Sequence, residues 1–206
     1  VVVGTATEVG KTWVTACVLS ELRDRGHAVS ARKPAQSFSP EERGHTDAEV
    51  LAGATGESPT AVTAAHRWYP VPMAPPMAAA ALGQPVPTMA DYLAELRWPD
   101  GTDYGFVETA GGVRSPLAED GDAVALIETL APDVVLLVAD AGLGTINAVR
   151  LSAAALGNDR LLVCLNRFDA KDPLHQANRA WLADRDGFVV VADPVAVADW
   201  LDQRGG

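Results

Sequence analysis

Nine residues near the start of the chain, Gly4-Thr5-Ala6-Thr7-Glu8-Val9-Gly10-Lys11-Thr12, have the types and order needed to hold a nucleoside triphosphate. They lie between an apolar strand, Val1 to Val3, and a helix read from Lys11 to Arg25. A triphosphate needs several backbone N–H donors converging on it, and a tight turn that opens a helix supplies them together with the helix dipole. Lys11 adds a mobile charge for the outer phosphates, and the Thr12 hydroxyl can ligate Mg²⁺. A glycine turn can also simply link a strand to a helix. Gly-Lys-Thr at that junction favours the nucleotide.

A metal held by Thr12 needs carboxylates opposite it. Two candidates stand at suitable places: Asp47 opens a helix after a polar loop, and Glu108 ends an apolar strand just before Thr109-Ala110-Gly111-Gly112. Asp47 also suits a helix N-terminus without any metal. A carboxylate ending a buried strand requires a partner, so the alternative is weaker for Glu108. Lys33 follows a second strand in Lys33-Pro34-Ala35-Gln36-Ser37. Strand C-termini form the ligand crevice of open α/β sheets, which makes it a candidate rather than a solvated lysine.

The elements that must position these groups alternate along the chain. Strands are read at Val1 to Val3, Ala28 to Arg32, Tyr104 to Glu108, Asp133 to Ala139, Leu161 to Leu165 and Phe188 to Val191. Helices are read at Lys11 to Arg25, from Asp47 to Gly53 or Gly56, Met77 to Leu82, Thr88 to Arg97, Asp122 to Leu130, Thr145 to Leu156, Pro173 to Asp184 and Val195 to Gln203. A glycine turn is expected at Gly111-Gly112. Strands apolar on both faces and separated by helices predict a single α/β domain over residues 1–206, with a doubly wound, mostly parallel sheet covered on both sides.

The chain has 206 residues, 48% of them hydrophobic, enough for one sizeable core. A net charge of −11 argues against nucleic acid and against an anionic membrane surface as partners. Two cysteines, Cys17 and Cys164, cannot build a disulfide scaffold, and the four histidines show no metal-ligand spacing. With no signal peptide and no membrane span, a cytoplasmic protein is expected. The opening on Val1 suggests a missing methionine and a few residues.

Other nucleotide-binding families fit less well. Asn166-Arg167-Phe168-Asp169 only approaches the base-reading N/T-K-x-D of switch GTPases, and Thr5 and Ala6 stand where DNA-partitioning ATPases carry a second lysine. The glycine loop, one residue longer than the usual P-loop, resembles that of the dethiobiotin synthetase family in the run GTATEVGKT. KPAQS is similar to that family's K-P-V-x-[ST], TDA to its aspartate-bearing helix start, and PMAPPMAA to its proline-rich substrate loop. VETAGG is similar to V-E-G-A-G-G and GLGTIN to L-G-[TC]-[IL]-N. The motifs occur in family order from Val1 to about Asn166.

The resemblance implies a P-loop NTPase fold and a homodimeric cyclo-ligase that uses ATP and Mg²⁺ to join CO₂ to the diamine 7,8-diaminononanoate. A paralogue acting on a different amine and a nucleotide-dependent regulatory switch are the alternatives. By position, Glu8, Val9, Gly10, Lys11 and Thr12 would hold the phosphates, and Asn166 the adenine. Thr12, Asp47 and Glu108 would hold the metal. Thr7, Lys11, Lys33 and Ser37 would serve catalysis, with Lys33, Ser37 and Gly111 on the substrate. Gly144, Thr145, Ile146 and Asn147 would bind the substrate carboxylate across the dimer. Phe38, where the family has glycine, and Thr109, where it has another, depart from the pattern beside the substrate; Gln36 and the loop from Phe38 to Gly44 also look unusual.

Overall fold

A computed structural model describes residues 1–41, 44–157 and 160–205; part of the loop between Phe38 and Gly44 lies outside them. Six strands form one sheet: β1 (Val2–Gly4), β2 (Val29–Arg32), β5 (Tyr104–Gly112), β8 (Val135–Asp140), β9 (Leu161–Asn166) and β10 (Val189–Val191). Their order is β10-β9-β8-β1-β5-β2, and every pairing is parallel. From β1 the chain crosses to the edge strand β2, returns to β5, and then passes to the other side of β1 to run outward through β8, β9 and β10; the C-terminal ends of β1 and its neighbours β5 and β8 border the crevice where such sheets bind ligands.

Alternation along the strands sets the two faces. Leu136 and Val138 of β8 join one core with Val14, Val18 and Leu22 of helix α1 (Lys11–Asp24) and Val197 of α9 (Pro194–Gly205). Val135, Leu137 and Ala139 point the other way, onto Val149 and Ala153 of α7 (Thr145–Leu156) and Leu182. This is the two-sided apolar pattern that buried parallel strands require. Helix α1 ends in a Schellman motif, with the His27 N–H donating to the Leu22 carbonyl and that of Gly26 to Arg23.

Between β2 and β5 the chain builds a cap over the sheet end. It holds α2 (Asp47–Thr55), α3 (Pro59–Val62), α4 (Pro75–Ala81) and α5 (Met89–Glu95), with short strands β3 (Gln36–Ser37) and β4 (Trp68–Tyr69) pairing in parallel. After β5, the hairpin of β6 (Pro116–Ala118) and β7 (Gly121–Asp122) leads into α6 (Ala123–Leu130). A third core of Tyr69, Ala78, Ala79, Met89, Tyr92, Leu117 and Leu126 joins cap to sheet, and the Tyr92 hydroxyl donates to the Leu117 carbonyl at 3.0 Å.

Two local readings are corrected. The glycine turn expected at Gly111-Gly112 is the end of β5, which runs four residues past Glu108 to Gly112 because it stays paired with β1. The single helix read from Pro173 to Asp184 is α8 (Pro173–Ala180) followed by a wider π turn, Trp181–Arg185, that seats Leu182 in the core. The β3–β4 and β6–β7 pairs were not visible as strands, since two or three residues are too short for a period to register.

Candidate active site

The phosphate loop closes on Gly10, whose φ of +90° lies in the left-handed region. A side chain there would be strained and would meet Asn166, since a Cβ would lie 2.1 Å from its Nδ2. The Asn166 amide donates to the Val9 carbonyl at 2.9 Å and so straps the loop to the end of β9. Lys11 is buried and donates to the Ala6 carbonyl at 3.3 Å, curling back across the loop. Burial, with the Lys33 ammonium nearby, pulls the Lys11 ammonium below its ordinary value.

Behind the loop, groups far apart in sequence meet. The Thr12 hydroxyl lies 2.9 Å from Asp47 Oδ1 and 2.7 Å from Glu108 Oε1. It has one proton, so it donates to one carboxylate at a time. Lys33 Nζ stands 2.7 Å from Glu108 Oε1 and 2.8 Å from Asp47 Oδ2. Burial alone would pull this ammonium down, but the two carboxylates outweigh it and hold it above its ordinary value. Burial pushes Asp47 up, and the Lys33 charge with its hydrogen bond overcomes this to keep the carboxyl ionised below its ordinary range.

Each member is placed by its element. Asp47 is the first residue of α2, whose start is fixed by a capping box between Thr46 and Glu49 and by the Gln36 Oε1, which accepts the Ala48 N–H at 2.9 Å. Lys33 is held by its backbone: its N–H donates to Val62 and its carbonyl accepts from the Thr63 hydroxyl. Glu108 is fully buried in β5, and its Oε2 has no partner. An unpartnered buried carboxylate oxygen beside a second carboxylate and a hydroxyl is a hard-oxygen donor set that suits Mg²⁺, which fills its remaining positions with water and phosphate. Among the described residues no cluster of three or more His, Cys, Asp or Glu side chains stands ready for a metal.

All of these groups but Glu108, which is buried beneath them, line a cleft of about 840 Å³. Thr7, Glu8, Gly10, Lys11 and Thr12 form one wall, Lys33, Ser37 and Asp47 another, and Pro72 to Pro75 with Gly111 the rim. The Ser37 hydroxyl is buried without a partner. Gly111 has a φ of +69°, and a Cβ there would lie 2.6 Å from the Ser115 hydroxyl, so glycine is required to let β5 pass the cleft. Val9 is buried under the loop rather than lining the cleft. Of the two departures from the family pattern, Phe38 lines the cleft and Thr109 does not: its side chain is buried in the sheet, its hydroxyl 3.3 Å from the Val2 carbonyl.

Gly144, Thr145, Ile146 and Asn147 lie elsewhere, at the N-terminus of α7 and outside the cleft lining. Thr145 is buried with its hydroxyl unpartnered, and Gly144 and Asn147 are exposed. Trp13, Ser115, Pro116 and Arg167 also line the cleft and were not singled out from sequence. Trp13 and Arg167 directly follow residues that were, which is the signal that could have found them; Ser115 and Pro116 carry none.

The chain as a whole has known relatives. The AAA domain family model matches residues 1–191. The chain is 36% identical to the ATP-dependent dethiobiotin synthetase BioD of Haloferax mediterranei, over 100% of this chain and 88% of the relative. It is 40% identical to the protein of the same name from Corynebacterium efficiens, over 74% of this chain and 66% of that one. The signal recognition particle receptor FtsY of Elizabethkingia anophelis shares the fold at a TM-score of 0.52 and 15% identity, covering 92% of this chain and 56% of that one. A nucleotide-binding protein in complex with ADP from Archaeoglobus fulgidus does so at 0.51 and 12%, covering 99% and 85%.

Proposed function

From the premise that this chain belongs to the ATP-dependent dethiobiotin synthetase family of P-loop NTPases, we propose that it is an ATP-dependent ligase of biotin synthesis that closes a ureido ring from CO₂ and 7,8-diaminononanoate. The observation that supports this most is the meeting of Lys11, Thr12, Lys33, Asp47 and Glu108 behind one cleft. A phosphate loop alone would serve any nucleotide-dependent switch. A second lysine and an unpartnered serine on the opposite wall suit an anion formed from an amine.

In this reading one amine of the substrate adds to CO₂, losing a proton and giving a carbamate. The carbamate oxygen takes the γ-phosphoryl group of ATP, releasing ADP. The second amine then attacks the carbonyl carbon, expelling phosphate and closing the ring. Lys11 and the loop N–H groups hold the phosphates, and Lys33, Thr7 and Ser37 orient the carbamate beside them. Bringing two anions together costs Coulomb energy that buried ammonium groups offset. Thr12, Asp47 and Glu108 would hold Mg²⁺, which supplies charge neutralisation at the phosphate oxygens.

Gly144 to Asn147 serve the cleft of a second subunit in this reading, because they lie outside their own. Exposed apolar residues beside them favour a homodimer: Leu143 is 92% exposed and Leu151 66%, and Leu151 borders a groove that also touches Thr5 and Thr7. A second reading, a ligase for a different amine, is favoured by Phe38, whose ring lines the cleft. The deciding assay follows ADP release and labelled CO₂ fixation with a panel of diamines. CO₂-dependent turnover with 7,8-diaminononanoate is expected; ATP turnover that ignores CO₂ for every diamine would remove the ligase assignment.

A further inference from the structure

Gln36 also lines the cleft, on the cap wall with Lys33 and Ser37. It opens β3, in register with Trp68 of β4, and two residues on the Phe38 N–H donates to the Tyr69 carbonyl. The backbone is thus held close to the side chain, and the residue is only 2% exposed.

One end of its amide is already engaged. Oε1 accepts the Ala48 N–H at 2.9 Å, in the first turn of α2. An N–H at that place requires the amide oxygen opposite it, because the reversed amide would set donor against donor. The nitrogen therefore takes the other position, and Nε2 is buried with no partner. The hydroxyl of the next residue, Ser37, is buried and unpartnered as well. Adjoining buried polar groups without partners are rare in a folded chain, and here both belong to residues of the cleft wall. Holding α2 in place accounts for the oxygen but not for the nitrogen, since such a strap needs only an acceptor.

The chemistry of the nitrogen limits what it can take. An amide N–H only donates, so it suits an oxygen with lone pairs and disfavours an ammonium. The N-terminus of α2 adds partial positive charge at the same place. The cations of the cleft have partners of their own: Lys33 lies between Asp47 and Glu108, Lys11 donates to the Ala6 carbonyl, and Arg167 pairs with Asp140. A free diamine offers no oxygen at its reacting end. The carbamate made from it offers two, and they carry the negative charge.

We propose that Gln36 is a specificity-determining residue that selects the carboxylated amine over the free diamine, its Nε2 donating to a carbamate oxygen while its Oε1 ties that contact to the start of α2. This deepens the proposed function and rests on its ligase reading.

Gln36→Glu tests it, because a carboxylate keeps the acceptor for the Ala48 N–H and replaces the donor with a second acceptor. Gln36→Met, of similar length, removes both. ATP and 7,8-diaminononanoate are titrated calorimetrically into the full chain and each variant, the diamine with and without bicarbonate, and turnover is followed alongside. Bicarbonate is expected to tighten diamine binding in the wild type. In Gln36→Glu that gain should vanish and kcat/KM for the diamine fall roughly ten- to a hundredfold, the scale for one hydrogen bond to a charged group, with ATP affinity unchanged. Relative to the wild type, the defect should deepen from about pH 7 to about pH 9, as a buried carboxyl at this position loses its proton. Gln36→Met should lose the bicarbonate effect too, and also melt at a lower temperature because α2 loses its strap.

Wild-type turnover with an intact bicarbonate effect in Gln36→Glu overturns the proposal and leaves Gln36 as a strap alone. Weakened ATP binding in that variant also overturns it and assigns Nε2 to a phosphate oxygen. Equal weakening of the diamine with and without bicarbonate does so as well, since the carboxylated form would not be singled out. Wild-type ATP turnover that ignores CO₂ for every diamine removes the ligase reading and this role with it, whereas CO₂-dependent wild-type turnover that survives Gln36→Glu removes the role alone.

Discussion

Lys33 sits between two carboxylates that would otherwise repel each other, one fully buried and the other at the edge of the cleft. Its ammonium and Glu108 are both nearly or fully buried, so each charge depends on the other for compensation. Lys33→Met should therefore leave Glu108 uncompensated and lower stability by about 3–5 kcal/mol, the scale for breaking a buried pair from one side. Adding Glu108→Gln should recover much of that loss by removing the stranded charge, while activity stays absent in both. Urea unfolding of the wild type, the single variant and the double variant checks this. A single variant as stable as the wild type would show that water reaches Glu108 freely.

The phosphate loop works as an element because β9 holds it from outside. Gly10 and Asn166 fit together so tightly that any side chain at position 10 meets the Asn166 amide. Gly10→Ala adds a Cβ in a left-handed conformation, worth about 1–2 kcal/mol of strain, and an overlap with the Asn166 amide. Asn166→Ala removes the strap without strain. The double variant should recover only part of the loss of Gly10→Ala, since the overlap goes but the backbone strain stays. Thermal unfolding with and without ATP reads both effects, and full recovery would mean that the overlap alone matters. Helix α2 is a parallel case: its capping box and the Gln36 contact set where Asp47 begins the helix, so this carboxylate inherits its position from a turn.

For the whole molecule, the arrangement divides into a sheet that carries the phosphate loop and Glu108 and a cap that carries Asp47 and Ser37 on the opposite wall of the cleft. The N-terminus of α7 belongs to neither wall. If its residues serve a second subunit, the exposed leucines beside it form part of the contact, because burying such side chains against a partner gains about 25 cal/mol for each Å² removed from water. Leu151→Glu should then yield monomers by light scattering at concentrations where the wild type is dimeric. Its melting temperature at infinite dilution should match the wild type, since Leu151 is exposed in the single chain. A variant that remains dimeric would place the contact elsewhere.

What could be read from sequence was what the chain does locally. The glycine loop, Lys11 and Thr12 are contiguous, and the strand before and helix after them fix their geometry within one turn of chain. The alternation of apolar runs with helical patterns gave the layered parallel sheet, because burial on both faces leaves that composition in every strand. Asp47 and Glu108 were recognisable from the ends of their elements as partners for Thr12, and Lys33 as a separate candidate, but not as one network with Lys33 between the carboxylates. Glu108 lies 75 residues from Lys33 and 96 from Thr12, and no local periodicity records a distance across the sheet. Tertiary structure alone decided that Lys33 joins Asp47 and Glu108, that Thr109 turns into the sheet while Phe38 faces the cleft, and that Asn166 straps the loop. The physical reason is the same in each case: a side chain's role follows from which neighbours exclude water around it, and parallel strands bring those neighbours together from distant parts of the chain.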